Sequence, residues 1–308
     1  MALDPIFGPI SAFLASVTWA IGSAQYSRMN EHHSAFAVNF ARALFALPLF
    51  ALLVFVSSGG WSAGIQEFRT LEARHIYWFT VSMIASYGLG DVLFLWSTAR
   101  IGVPAALAIA SCYPLWTAIA GVLFRGETLN IPQTLGLVTV VAGVVGVILS
   151  APKKNSLKVS GSGTVLRLGV LLAFLTSFMW ALNGFAVSHA GKDLSMPVAN
   201  TLRMALALGL STIIGRVLAP RSSILIPART LKAFVWVLAL EAFGGSCLYV
   251  YGLARSPLAI GATLSSLAPV LSVPVAWGLG LEKPSVPRTL AVLVTALGIL
   301  LLVGGASL

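Results

Sequence analysis

Charges and turn residues divide this chain into ten apolar stretches, each long enough to cross a membrane. A membrane-spanning helix needs about 20 consecutive, mostly apolar residues. The sequence is 58% hydrophobic and 9% charged, whereas a soluble domain carries about 25% charged residues. A membrane barrel would instead show alternating strands of about ten residues. The sequence therefore predicts an all-α membrane protein with ten transmembrane helices.

The ends of the apolar stretches place these helices. The first five are expected at 6–27, 34–56, 75–98, 102–124 and 131–150, and the second five at 165–188, 196–217, 231–254, 257–280 and 286–305. Between the two sets lies the polar segment 151–164, which is rich in Ser and Gly and is expected to be a linker. The predicted domains are therefore residues 1–150 and 165–308.

The second half of the chain repeats the first. An offset of 155 residues carries Ala99, Arg100, Pro114, Glu127, Leu135 and Gly143 onto Ala254, Arg255, Pro269, Glu282, Leu290 and Gly298. An offset of 161 carries Trp19, Asn39 and Arg42 onto Trp180, Asn200 and Arg203, because the first half has six extra residues between its second and third helices. An odd number of helices turns the second copy over in the membrane. The sequence thus predicts two inverted five-helix repeats around a central cavity, as in many secondary transporters.

The repeated spacing from proline to glutamate resembles that of a known family. Pro114 to Glu127 and Pro269 to Glu282 each span 13 residues, and a Gly-rich helix follows each glutamate. Together these features resemble the EamA repeats of the drug/metabolite transporter superfamily over nearly the full length, and the chain looks similar to bacterial amino-acid exporters of the YddG type. The resemblance implies a multi-pass transporter of the bacterial inner membrane. That family also exports nucleosides, sugars and drugs, so the fold does not specify the substrate.

Charged residues inside the predicted helices are the first candidates for a substrate site, because such charges are costly in a membrane and usually functional. Asp91 and Glu241 lie in the equivalent third and eighth helices, but Asp91 corresponds to Ser246 and Glu241 to Ser86. The two acids therefore break the symmetry of the repeat. Each could contact a substrate amine, couple transport to protons, or pair with an arginine.

Arg42 and Arg203 occupy equivalent positions in the second and seventh helices. Each lies about 12 Å from the start of its helix, a distance over which an arginine can reach the interface. They could therefore bind a substrate carboxylate or extend toward lipid headgroups. Arg42 could also pair with Glu241 or Asp91.

Aromatic and amide side chains form a second group of cavity candidates. The aromatic residues are Trp19, Tyr87, Tyr113, Trp116, Trp180, Tyr249 and Tyr251, and the amides are Asn39, Asn183 and Asn200. Trp19 and Trp180 are favoured because the repeat contains both. The alternative is that the rings pack or lie at the interface, and that the amides bond helix to helix.

Prolines and glycines inside the helices are candidates for hinges or gates. The candidates are Pro114, Pro269, Gly88, Gly90, Gly244 and Gly245. Proline removes a backbone hydrogen bond and kinks a helix. The alternative is that these residues allow close packing, since Gly and Pro are common in membrane helices.

These features predict a secondary transporter that exports small metabolites, and amino acids in particular, by alternating access. The expected partners are a small-molecule substrate, the lipid bilayer and protons as a candidate coupling ion, with no nucleic acid, cofactor or metal. A monomer is expected because both repeats lie in one chain. The alternatives are a carrier for lipophilic cations, a channel, and a membrane enzyme acting on lipids. An enzyme is not predicted because no catalytic constellation is visible in the sequence.

The orientation of the chain in the membrane has two opposed indications. Of the 19 Lys and Arg residues, 12 flank one membrane face and 5 flank the face with the termini. The excess of positive charge on cytoplasmic loops would place the termini outside the cytoplasm. The family resemblance implies cytoplasmic termini.

Overall fold

The computed structural model describes residues 6–30, 32–101, 103–150, 163–278 and 284–305. Glu282 and residues 151–162 of the predicted linker lie outside these ranges. Within them, eight helices are long and apolar enough to cross a membrane. The remaining two predicted spans contain shorter apolar helical segments, Phe7–Gly22 and Leu258–Pro274. The prediction of an all-helical membrane protein is confirmed.

The helices follow the order that the apolar stretches predict. Those of the first half are α1 Phe7–Asn30, α2 Ala35–Ser57, α3 Trp61–Arg69, α4 Ala73–Met83, a π-helical segment π1 Ile84–Gly88, α5 Leu89–Ile101, α6 Val103–Ala110, α7 Tyr113–Arg125 and α8 Ile131–Leu149. Those of the second half are α9 Gly163–Ala190, α10 Met196–Leu218, α11 Ala228–Val237, a π-helical segment π2 Leu238–Gly245, α12 Ser246–Arg255, α13 Leu258–Ser265, α14 Ala268–Gly278 and α15 Val286–Gly304. The described ends lie within three residues of the predicted ones.

The fourth and ninth predicted helices are each divided into two helices in series. The first division falls at Ser111–Cys112, between α6 and α7, and the second at Ser266–Leu267, between α13 and α14. Pro114 and Pro269 are the second residues of α7 and α14. Proline is tolerated at the start of a helix because the first N–H groups there have no partner within the helix. Each repeat therefore has a break just before its proline, where the sequence predicted a kinked, continuous helix.

The third and eighth helices each contain a π-helical segment, which the sequence did not predict. An offset of 155 residues carries π1, residues 84–88, onto 239–243, which lie inside π2. Such segments are rare, and they occur frequently at functional sites. Both copies of the repeat thus have this irregularity at the same place.

By its internal contacts the chain divides into two compact units. Unit 1 comprises residues 1–88 and 186–256, and unit 2 comprises residues 89–185 and 257–308. Each unit therefore combines segments of both sequence repeats.

Unit 1 is organised around the packing of α2 against α10 and of α1 against α12 and π2. Its buried core includes Phe50, Met83 and Leu238, with small residues such as Ala37 and Ala41 on α2. Small side chains let helices approach closely in a membrane. This close approach brings polar residues of α1, α2 and π2 together, as described below.

Unit 2 is organised around the pair α8 and α15. Gly136 and Gly143 of α8 lie against the backbone of α15, and Gly298 of α15 lies against the backbone of α8 at Val140. A methyl group at any of these positions would collide with backbone atoms of the other helix. These glycines of the fifth and tenth helices are therefore packing residues.

Candidate functional site

The candidate site lies within unit 1 and is formed by side chains from α1, α2, π1, π2, α10 and α12. Residues three, four or seven apart share one face of a helix. By this spacing Trp19 and Tyr26 lie on one face of α1, and Asn39 and Arg42 lie on one face of α2. The predicted candidates of the second and eighth helices, Arg42 and Glu241, meet here.

Arg42 and Glu241 form a two-pronged ion pair. Nη2 of Arg42 lies 2.8 Å from Oε1 and 2.9 Å from Oε2 of Glu241, and Nε of Arg42 donates to Oε2 at 3.2 Å. Nη1 of Arg42 donates to Oδ1 of Asn39 at 3.1 Å. The two charged side chains are only 11% and 8% exposed. Of the alternatives for these residues, the structure shows the pairing of the acid with an arginine.

Three aromatic rings surround the guanidinium of Arg42. Its Cζ lies 5.3 Å from the centre of the Trp19 ring, 4.7 Å from that of Tyr26 and 5.7 Å from that of Tyr87. Cations are attracted to aromatic faces at such distances. The hydroxyl of Tyr26 donates to the carbonyl of Val237 at 3.4 Å, which ties α1 to the residue before π2. The rings thus enclose the ion pair on several sides.

Close helix packing holds Glu241 in place. A Cβ atom at Gly22 of α1 would lie 2.8 Å from Cγ of Glu241, and one at Gly245 would lie 2.6 Å from Oγ1 of Thr18. Glycine at these two positions therefore lets α1 lie directly against π2. Desolvation of two charges is expensive, and good geometry with additional hydrogen bonds offsets it. Asn39 supplies such a bond.

The second arginine of the repeat, Arg203, has different surroundings. It lies on α10, is 5% exposed, and its Cζ lies 5.5 Å from the centre of the Tyr249 ring on α12. Among the described residues it forms no ion pair, and its Nε has no hydrogen-bond acceptor. Arg42, Glu241 and Tyr87 are among the groups that act on it electrostatically.

Asn200 precedes Arg203 by one helical turn, as Asn39 precedes Arg42. Asn200 is fully buried, and its Nδ2 donates to the carbonyl of Met196 at 3.2 Å. Its Oδ1 has no partner in the described part of the chain. The asparagine and arginine of α2 are thus bonded to each other, whereas neither Oδ1 of Asn200 nor Nε of Arg203 is engaged.

Of the remaining cavity candidates, Tyr251 lies on α12 in unit 1, and the others lie in unit 2. Trp180 packs edge-on against Tyr113, with ring centres 6.3 Å apart, and against Phe94 at 5.4 Å. The hydroxyl of Tyr113 donates to the carbonyl of Ala262 at 3.4 Å. Asp91, in the first turn of α5, is half-buried, and so is Asn183 of α9; both have interaction partners. The repeat-related pair Trp19 and Trp180 is therefore divided between the units.

The predicted hinge residues cluster at helix irregularities. Gly88 ends π1, Gly244 and Gly245 end π2, and Gly90 is the second residue of α5. Pro114 and Pro269 lie just after the breaks at Ser111–Cys112 and Ser266–Leu267. A role for these residues in gating stays a prediction.

Sequence reasoning missed Tyr26, whose ring is the nearest of the three to Arg42. Its position seven residues after Trp19 was a usable signal, because that spacing puts both rings on one face of α1. Tyr26 is the penultimate residue of the first predicted helix, 6–27, and was not among the aromatic candidates. In the structure it is 4% exposed.

Comparison with known proteins places these features in context. The EamA-like transporter family matches the chain twice, over residues 6–149 and 167–304. An uncharacterized transporter of Archaeoglobus fulgidus is 24% identical over 199 residues, which span 65% of this chain and 65% of that protein. A crystal structure described only as that of a protein aligns with a TM-score of 0.72 at 16% identity, over 96% of this chain and 94% of that one. That structure shares the fold.

Proposed function

The chain belongs to the EamA-like transporter family, and from this premise we propose that it exports amino acids across the bacterial inner membrane by alternating access. As a member of that family it is a multi-pass membrane transporter and not an enzyme. The family implies a transported small molecule as substrate. The amino-acid substrate, the outward direction of transport and the alternating-access mechanism are what we propose.

The observation that carries the proposal is the buried ion pair of Arg42 and Glu241 among aromatic rings. A zwitterionic amino acid carries one ammonium and one carboxylate, and this site offers a carboxylate and a guanidinium within one small region. Complementary charges give specificity at a binding site. The faces of Trp19, Tyr26 and Tyr87 can also attract an ammonium group.

The same charges argue against the efflux of lipophilic cations. Such a carrier needs a buried acid with no cation beside it, whereas both oxygens of Glu241 are bonded to Arg42. Arg203 is a further buried positive charge of unit 1, and among the described residues no acid pairs with it. An excess of positive charge at low dielectric repels a cationic substrate.

Alternating access is supported by the inverted repeat and by the irregular helices. Transporters of this design place substrates next to interrupted helices and move one bundle against another. Here each repeat has one π-helical segment and one broken helix at matching positions. Glu241 and Asp91 are the candidate groups for proton coupling.

Uptake into proteoliposomes tests the proposal. The purified chain is reconstituted and supplied with radiolabelled amino acids or with the cations ethidium and tetraphenylphosphonium, with and without a pH gradient. We expect uptake of one or more amino acids and none of the cations, with stimulation by the gradient only if transport is proton-coupled. Arg42→Gln should abolish this uptake, whereas Arg69→Gln on the exposed helix α3 serves as the matched control. Uptake of the cations without any amino acid would overturn the proposal.

A further inference from the structure

Arg203 is a buried cation that, among the described residues, has no carboxylate partner. Its counterpart in the first repeat, Arg42, has one. Arg42 meets Glu241 with two nitrogens, whereas Arg203 forms no ion pair with any described residue and its Nε lacks an acceptor. An uncompensated charge in a protein interior costs several kcal/mol. A sequence that needed Arg203 only for packing would be more stable with an apolar residue there.

The repeat explains why Arg203 lacks an acid. Arg42 on α2 corresponds to Arg203 on α10, and Glu241 in π2 corresponds to Ser86 in π1. The packing follows the same symmetry, since α2 packs against π2 and α10 packs against π1. Ser86 has no charge, and its hydroxyl donates to the carbonyl of Ser82 at 2.8 Å. The second copy of the site therefore has the arginine without the carboxylate.

The amide of Asn200 adds a complementary group. Its unengaged Oδ1 is an acceptor, and it lies one turn from the unengaged donor of Arg203 on the same face of α10. An amino acid presents a carboxylate and an ammonium on one carbon atom. A donor cation and an amide acceptor one turn apart suit these two groups.

We infer that Arg203 binds the carboxylate of the transported substrate, in the manner in which Arg42 binds Glu241, and that Asn200 accepts a hydrogen bond from its ammonium group. This inference rests on the proposed function and assigns the residues that bind the two charged groups of the amino acid. A guanidinium binds a carboxylate with paired, charge-assisted hydrogen bonds. The face of the Tyr249 ring, 5.5 Å from Cζ of Arg203, supports the guanidinium from one side.

Ligand-dependent thermal stability in detergent tests this role of Arg203. The probes are L-phenylalanine and L-leucine, their amides, which lack the carboxylate, and 3-phenylpropionate, which lacks the amine. We expect the acids but not the amides to stabilise the wild-type chain. In Arg203→Gln the affinity for the acids should fall roughly tenfold to a hundredfold, with partial recovery in Arg203→Lys. Equal affinity in wild type and Arg203→Gln, or equal binding of acid and amide, would overturn the inference.

The variant Ser86→Glu tests the inference from the opposite direction. It supplies the second copy with the acid that the first copy has, so the new carboxylate should compete with the substrate for Arg203. We expect Ser86→Glu to raise the unfolding temperature and to weaken acid binding at least about tenfold. Ser86→Gln has the same size without the charge, and it should show a smaller loss of binding and no stabilisation. Wild-type acid affinity in Ser86→Glu would contradict the role of Arg203.

These tests separate the inference from the proposed function. If the wild-type chain transports amino acids and Arg203→Gln transports them equally well, the inference fails and the proposed function stands. If no amino acid is transported but 3-phenylpropionate binds the wild-type chain and not Arg203→Gln, the proposed function fails and Arg203 remains the carboxylate-binding residue. If none of the acids binds, the inference fails.

Discussion

Both carboxylate oxygens of Glu127 accept a hydrogen bond from the backbone N–H of Leu258, at 2.9 and 2.8 Å. Leu258 is the first residue of α13, where the N–H groups have no acceptor within the helix. A negative charge there also interacts favourably with the helix dipole. Nε of Arg125 lies 3.3 Å from Oε1 of Glu127 and forms an ion pair with this carboxylate. The glutamate of the first repeat thus caps a helix of the second repeat within unit 2.

Glu127→Gln should lower the stability of the chain. The neutral amide keeps an acceptor oxygen but loses the charge that interacts with Arg125 and with the end of α13. We expect a loss of about 1–2 kcal/mol, measured by thermal unfolding in detergent. Glu67→Gln makes the same chemical change on α3, which belongs to unit 1, and should shift the unfolding temperature little. Equal shifts in the two variants would show that Glu127 does not cap α13.

Gly121→Ala should weaken the same cap through sterics. A Cβ atom at Gly121 would lie 2.7 Å from Oε2 of Glu127, so the carboxylate must shift from the position in which it accepts from Leu258. We expect a destabilisation of about 1–3 kcal/mol. Because both changes act on one contact, the double variant with Glu127→Gln should lose less than the sum of the single losses. Additive losses would mean that the two residues act independently.

Much of the fold follows from the length of the apolar stretches, because each must span the same bilayer. The predicted ends therefore fall within three residues of those described. The π-helical segments could not be predicted from the sequence. Almost every residue around them is apolar, so the extra residue in a π-helical turn does not change the pattern of apolar and polar residues. The short helix α3, Trp61–Arg69, lies between the second and third predicted helices and was also missed. The sequence showed only that six residues are extra there.

The site was predictable as a set of residues but not as an arrangement. Charge inside apolar helices identified Arg42, Arg203 and Glu241 individually. Arg42 and Glu241 are 199 residues apart, and the repeat does not relate them, so two acids remained possible partners. Because the repeat contains both arginines at equivalent positions, the sequence could not show how their partners differ. Only the structure shows that Arg42 pairs with Glu241, whereas Arg203 forms no ion pair with the residues that the structure describes.

Arg42→Gln and Glu241→Gln should each destabilise unit 1. Each removes one member of a buried pair and leaves the other charge without compensation, which costs about 3–5 kcal/mol. The double variant leaves no buried charge unpaired, so it should be less destabilised than the sum of the two. Thermal unfolding of the wild type, the two single variants and the double variant gives the coupling free energy between Arg42 and Glu241.

Arg203→Gln is the comparison variant for this double-mutant cycle, since Arg203 has no acid beside it among the described residues. Its removal should leave the unfolding temperature unchanged or raise it. A loss of stability as large as that of Arg42→Gln would show that the two arginines have the same structural role.

Replacing Pro114 and Pro269 with Ala should slow transport while leaving expression intact. Each proline follows a break in its helix, and alanine restores the backbone N–H that could bond back across the break, to Ala110 or Ser265. A continuous helix should resist the bending that opens a gate, and we expect initial uptake rates to fall roughly fivefold, the equivalent of about 1 kcal/mol. Pro48→Ala is the matched control, because Pro48 lies inside the unbroken helix α2. Unchanged uptake in both Pro114→Ala and Pro269→Ala would mean that the breaks serve packing and not gating.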